Sequence, residues 1–377
     1  MTVKVHAFDG LTGGHIGILQ ATSCTWSDSI NDYGDLSCHV LHNRGREWER
    51  ILREYGAIIA AIRHDGPSKT ILHAGYLTRW KPSGDGYDLE AGGGWTILDK
   101  RLVLNHNLDA SWRDGQITID EDNPPGDWIL TLRGTYRDIV RGLINETLKW
   151  GSLPISLPAI QGGTSHIRTY QCWDMATLSE RIGDIADLED GPEIRFDPIL
   201  AGDGIRFQLN VGDPEIIDTT HRWNLNLPGQ HIMLTDFDAD GDDITNEAYA
   251  IGGKTDDRVL VARRKGDSLR SQGWPLLQTY DGSHTSVSET ATLQSYTAAA
   301  IDIGDHSQCT IGIDCLQTEN VHVGDHAIIR LSDTDPLSKR IASALGLEPR
   351  SQIEVKITDT SGDITSMVTS LQARPIT

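Results

Sequence analysis

Apolar residues follow two rhythms along this 377-residue chain. In the flanks they fall on every second position, as in Val3, Val5 and Ala7, in Leu36, Cys38 and Val40, and in Ile353, Val355 and Ile357. A period of two belongs to strands with one face turned to a core. Further strands are predicted over 57–63, over 70–81 leading into the turn Pro82-Ser-Gly-Asp-Gly86, and at the runs beginning at Ile205, His231, Glu247, Arg258, Cys309 and Ala327. Gly, Asp, Asn and Pro separate these segments and supply their turns.

Between Gly134 and Phe196 the rhythm changes. Ile139, Val140, Leu143, Ile144 and Leu148 recur at three-to-four spacing, which gathers them on one helix face. Leu178, Ile182 and Ile185 do the same, with Asp174 or Thr177 placed to cap that helix and Gly191-Pro192 to stop it. A short helix is expected over 46–53, with Trp48, Ile51 and Leu52 on its apolar side. Another is expected from a Ser288 cap, with Leu293, Tyr296, Ala300 and Ile301 sharing a face. Residues 105–133 read as loop, broken most clearly at Asn123-Pro-Pro-Gly126. The expected architecture is mainly β with an α+β insertion.

Length allows two to four domains, each able to bury its own core. Hydrophobic content of 38% and charged content of 23% are those of a globular protein. No apolar run approaches the length of a membrane span. The N-terminus enters strand alternation at once, without a secretory leader pattern, so synthesis is expected to end in the cytoplasm. Five cysteines, an odd number, argue against a disulfide framework. Cys309 and Cys315 share a strand face but stand roughly 20 Å apart, beyond bridging reach. A formal charge of −21 repels free nucleic acid, which demands neutralising Lys and Arg. Such a surface can still line a passage through which DNA slides without sticking.

The most complete motif is Asp236-Phe-Asp238-Ala-Asp240-Gly241 with Glu247 at the twelfth position. Alternate carboxylates, a turning Gly and a closing Glu are what a calcium loop requires. An acidic turn between two strands gives the same text, and Pro228-Gly229 stands where an entering helix would run. Gly252-Gly-Lys-Thr255 resembles the end of a phosphate loop, but Ala248 occupies the place of the first required Gly. His39 with His42, and His322 with His326, have metal-site spacings but lie in strand or turn text. Ten tryptophans among many carboxylates would suit a sugar cleft, but core and interface packing better explains their even spread from Trp26 to Trp274. The basic residues Arg258, Arg263, Arg264 and Lys265 are interleaved with Asp256, Asp257 and Asp267, as on a solvated hairpin. No complete nucleophile or zinc-hydrolase motif is present.

The order of these elements resembles the baseplate hub, or minor tail protein, of long non-contractile-tailed bacteriophages, the actinobacteriophage type above all. The likeness rests on Gly75-Tyr76 in a strand, the exit AGGGWTILDKRLV at 91–103, and Asp190-Gly-Pro-Glu-Ile-Arg-Phe196 after an amphipathic helix. It continues through Asn246 leading to Gly252-Gly253, where Ala248 replaces a β-branched residue. Gly273-Trp-Pro-Leu-Leu277 and Val323-Gly-Asp325 complete it.

That resemblance implies two β-barrel hub domains flanking a mixed α+β module. The implied division is a first barrel over 1–110, an inserted α+β module over 111–203, a β-rich segment over 204–285 completing both, and a second barrel with a leading helix over 286–377. It also implies a homotrimer at the tail tip, assembled in the host cytoplasm. Its expected partners are distal tail and tail-tube proteins, the tape measure protein, and tip spike or receptor-binding proteins. The chain stops at Thr377 directly after the last expected barrel, so no lytic extension and no catalytic site are expected. No cofactor is expected beyond the calcium candidate at Asp236. The competing expectation is a secreted β-rich protein that binds or hydrolyses glycans.

Overall fold

The computed structural model describes the chain except residues 1, 43–47, 113–114, 117, 121, 123–125, 256–257, 285–286, 306–307, 349 and 377. The first part of the expected helix over 46–53, the breaker at Asn123 to Pro125, and Asp256 and Asp257 lie outside the described residues. The chain is mainly β. Its N-terminal part holds β1 (Thr2–Asp9), β2 (His15–Leu19), β3 (Ala21–Ser29), β4 (Asp35–Leu41), the short helix α1 (Trp48–Ile51), β5 (Ala57–Asp65), β6 (Ser68–Ser83) and β7 (Gly86–Gly92). These strands pair antiparallel in the order β3-β4-β7-β6-β5-β1-β2. Register shifts within β1, β3, β5–β6 and β6–β7 act as bulges that deepen the twist. The sheet curls until β3 contacts β1 and β6. Val5, Ala7, Trp26, Leu36, Ile59 and Leu77 fill the concave side, and Trp48 and Leu52 from the α1 region close it.

The convex side is buried as well. Phe8, Ile58, Ala60, Ile62 and Tyr76 belong to a second core shared with the middle of the chain. The unbroken apolar run Ala57 to Ile62 is the sequence form of a strand covered on both faces. One expectation is corrected here. Cys24 and Cys38 are directly opposed on β3 and β4 with Cα atoms 4.0 Å apart, and they form a disulfide. An odd cysteine count excludes complete pairing, not a single bridge. Cys172, Cys309 and Cys315 are free.

The middle comprises β8 (Ile129–Gly134), α2 (Tyr136–Lys149), β9 (Ile155–Ser156), β10 (His166–Gln171), α3 (Leu178–Ala186), β11 (Ile194–Ala201) and β12 (Gly204–Val211). The spacing had placed both helices correctly. Thr135 caps α2 through the Asp138 N–H, and Ile139, Val140, Leu143 and Ile144 are its buried face. Thr177, not Asp174, caps α3, in a reciprocal capping box with Glu180. β8 pairs with β10, while β9, β11 and β12 form a separate small sheet.

The remainder runs β13 (Thr220–Asn224), β14 (Ile232–Asp240), β15 (Glu247–Thr255), β16 (Arg258–Lys265), α4 (Ser268–Ser271), β17 (Gln278–Asp281), α5 (Thr290–Gly304), β18 (Gln308–Leu316), β19 (His326–Arg330), α6 (Pro336–Ala344), β20 (Gln352–Asp363) and β21 (Val368–Pro375). The strands of 204–285 disperse. β12 stays in the middle sheet, β13 and β14 pair with β19 and β18, and β15, β16 and β17 make their own sheet under α5. Helix α5 begins after Glu289, so Ser288 does not cap it. Helix α6 was not anticipated, although Asp335 caps it and Pro336 opens its first turn. Ile341 and Ala342 of α6 cover the core of Ile311, Ile313, Ile329, Val355 and Leu371.

Two separate closed barrels were expected, and none is closed among the described residues. The N- and C-terminal strands instead belong to one 13-stranded sheet. Its seam is β3 against β20, from Asp359 opposite Ser29 to Asp363 opposite Thr25. A Cβ on Gly362 would lie 2.6 Å from the Trp26 ring, so only glycine lets these strands approach there. Arg63 adds a second tie, reaching the Gln317 carbonyl and Asn320 Oδ1. No helix among the described residues is long and apolar enough to cross a membrane.

Candidate functional site at the three-way junction

The segment Asp190 to Phe196 lies where the three parts of the chain meet. Asp190 adopts a positive φ of 56°, and Gly191 follows so tightly that a Cβ would strike the Ala186 carbonyl. Beyond this turn, residues 193–196 reach different parts of the chain. Ile194 exchanges bonds with Asn31 of the β3–β4 turn, donating to Asn31 Oδ1 at 2.7 Å and accepting from its N–H at 3.2 Å. Phe196 packs edge-on against Trp95 at 6.1 Å, and Gly94 lies so close to Phe196 and Phe207 that a side chain there would clash. The glycines of the 92–94 exit therefore serve close packing. Tyr76 stacks on Phe207 at 5.6 Å.

The two charged residues of the segment face the C-terminal sheet. Glu193 accepts the Ile216 N–H at 2.8 Å and stands 2.7 Å from Lys356 Nζ. Lys356 on β20 is 1% exposed and also lies 3.3 Å from Glu215. Arg195 donates to Asp197 and to Asp218, the latter at 2.6 Å, and to the Val323 carbonyl. Burial works against its charge, but these carboxylates outweigh it and hold the guanidinium protonated. A small cleft beside Arg195 is lined by Asp28, Tyr33, His73 and Trp95. Burial, then the neighbouring Asp197 carboxylate, pushes Asp28 up to about 7 despite Arg195. Burial pushes His73 down to about 4. This is a lock of ionic and aromatic contacts around the buried Lys356 and Arg195.

The motifs weighed from sequence go elsewhere. Asp236, Asp238 and Asp240 extend along β14, exposed, whereas Glu247 is buried on β15. Glu247 bonds to Arg263, to Gln278 at 3.0 Å and to Tyr249 at 3.1 Å. Among the described residues no three His, Cys, Asp or Glu side chains converge to hold a metal. Gly252 and Gly253 form a bulge in the β15–β16 hairpin, where Gly253 donates to the Val287 carbonyl and a Gly252 Cβ would clash with it. His39 pairs with Asp85 and Asp88, while His42 meets the Tyr87 ring edge. His322 faces Asp325, and His326 faces Glu215 and Glu354. Trp26, Trp48, Trp95, Trp128 and Trp223 are buried packing residues. Asn246, part of the resemblance, ties two segments by donating to the Pro275 carbonyl and accepting the Leu277 N–H.

Sequence reading missed Lys356 as a site residue. In Ile353-Glu-Val-Lys-Ile357 the alternation places it opposite the core, and only the covering segment at 193–215 buries it.

The fold is therefore a mainly β scaffold whose curled sheet and central α+β part lock together through one ionic junction. Comparison with solved structures finds the same fold along nearly the whole chain. The 43 kDa tail protein of prophage MuSo2 from Shewanella oneidensis matches with a TM-score of 0.57 and 10% identity, covering 99% of this chain and 98% of that one. The tail protein from Neisseria meningitidis MC58 matches with a TM-score of 0.51 and 11% identity, covering 99% and 96%. No protein-family model matches the sequence. No curated protein matches it either.

Proposed function

We propose that the chain is a structural tail protein of a bacteriophage, the homotrimeric hub at the tip of a long non-contractile tail. The observation that carries this reading is the fold shared over 99% of the chain with two tail proteins, one of them from a prophage. The ionic junction supports it, because a part bearing mechanical load needs its segments fixed to one another more than it needs a reactive centre. In this role the hub joins the tail tube to the tip. It contacts distal tail, tape measure and spike or receptor-binding proteins and carries no enzymatic activity. Three copies would bring 3 × (−21) = −63 formal charges to the ring. A wall of that sign keeps exiting DNA from adsorbing.

Light scattering across a concentration series tests the assembly, and antibody labelling of intact particles tests the location. The expected results are a species near three times 41.5 kDa and label at the tail tip. A 41.5 kDa species at every concentration, with no label on tails, overturns the proposal.

A further inference from the structure

The sheet β16-β15-β17 is covered on one side only. Ala248, Ala250 and Ala262 face α5 and its Leu293. The opposite face carries Tyr249, Ile251, Val259, Val261, Arg263 and Tyr280. Register places Tyr249 across from both Arg263 and Tyr280, and Ile251 across from Val261. Val259, Val261 and Tyr280 are 48%, 54% and 67% exposed, an apolar surface that solvent alone does not explain. The face is also held in shape. Buried Glu247 lies on the same face, two positions before Tyr249, and ties Tyr249, Gln278 and Arg263 together, while the Arg263 guanidinium lies over the Tyr249 ring at 5.6 Å. Rigid tyrosine and arginine on an apolar floor is the composition that dominates binding energy at protein interfaces.

Charge indicates the occupant. Within a chain of net charge −21, the exposed face carries Lys254, Arg263 and Lys265 against Glu247 alone, a local excess of two positive charges. Lys254 and Lys265 stand at the two ends of the exposed face and are themselves exposed. The same chain carries the opposite pattern on β14. Asp236, Asp238 and Asp240 are exposed at alternate positions of a strand that, among the described residues, pairs only with β18. Alternate strand positions repeat at about 6.6 Å, the same interval as Arg263 and Lys265 on β16.

We infer that this face of the β16-β15-β17 sheet docks the acidic edge strand β14 of a second copy. The contact is heterologous: each copy offers its sheet face to one neighbour and its acidic strand to another, which builds a ring when the rotation closes. The inference rests on the self-associating hub proposed above and names the surfaces that would join its copies.

Two charge-reversed proteins test it. One carries Lys254→Glu and Lys265→Glu on the sheet face, and the other carries Asp236→Lys and Asp238→Lys on the edge strand. All four positions are exposed, so at dilutions where the wild type is dissociated the melting temperature should stay that of the wild type. The expected result is that wild type self-associates and either variant alone loses at least about tenfold in association constant, or about 1.4 kcal/mol. An equimolar mixture should recover association in part, because in a mixed ring of three two of the three contacts then join complementary surfaces. Association of both variants at wild-type strength overturns the interface and leaves the hub intact. Loss in the sheet-face variant alone overturns β14 as the occupant and points to another partner. A wild type that stays monomeric at all concentrations, yet labels the tail tip, overturns self-docking while sparing the tail assignment.

Discussion

Lys356 Nζ lies 2.7 Å from Glu193 Oε2 in the interior of the junction, joining a strand of the C-terminal sheet to the turn that leads into β11. Removing one member of a buried pair leaves the other charge without compensation and costs about 3–5 kcal/mol. Lys356→Met is expected to destabilise by that order in urea unfolding. The double variant Lys356→Met/Glu193→Gln should lose less than the sum of the two single changes.

The seam between β3 and β20 makes a packing prediction. Valine at Gly362 must displace the buried Trp26 ring, and overpacking of this kind costs about 1–3 kcal/mol. Gly162→Ala, where an added Cβ meets nothing within 4 Å, serves as the control and should stay within about 0.5 kcal/mol. Thermal melts of both variants check the contrast.

The cleft at Arg195 gives a pH prediction. Asp28, lifted from 3.8 to about 7, holds an extra proton in the folded state between those values. Its contribution to stability therefore falls as pH rises through that window. His73, pushed from 6.5 to about 4, runs the other way: the unfolded state binds the extra proton there, and stability rises with pH. Burial, then His15 and His64, lowers His6 to about 4, so it adds to the His73 side. Asp28→Asn should thus be more stable than wild type by roughly 2 kcal/mol at about pH 8, after discounting for partial exposure. That advantage should vanish below about pH 4. Denaturation curves at three pH values decide the matter.

The acidic motif yields a ligand prediction. Because Glu247 is committed to Arg263, Gln278 and Tyr249, calcium added to chelator-treated protein should leave the melting temperature unchanged. Glu247→Gln should lower it even without calcium, since Arg263 loses its buried partner. A calcium-dependent rise in melting temperature refutes this assignment.

These examples mark what was legible in the sequence. The faces of α2 and α3 could be read because three-to-four spacing is a local signal, and Ile139 or Ile182 needs no distant partner to declare its side. The strands of the alternating flanks were legible for the same reason. Lys356 was not, because its burial comes from residues more than 130 positions earlier in the chain. Cys24 and Cys38 pair only because β3 and β4 set them directly opposite, which spacing of fourteen residues does not reveal. Glu247 shows the same limit from the other side: its contact with Arg263 across the hairpin is no part of the local spacing that suggested a calcium loop.

The seam at β3 and β20 also orders events during synthesis. Strand β3 is made within the first thirty residues, yet its partner spans Gln352–Asp363. Throughout translation the emerging chain holds an unsatisfied strand edge of the kind that recruits other chains. Production halted before that last partner emerges should yield aggregates rather than a smaller folded protein, and slower elongation lengthens the period of exposure.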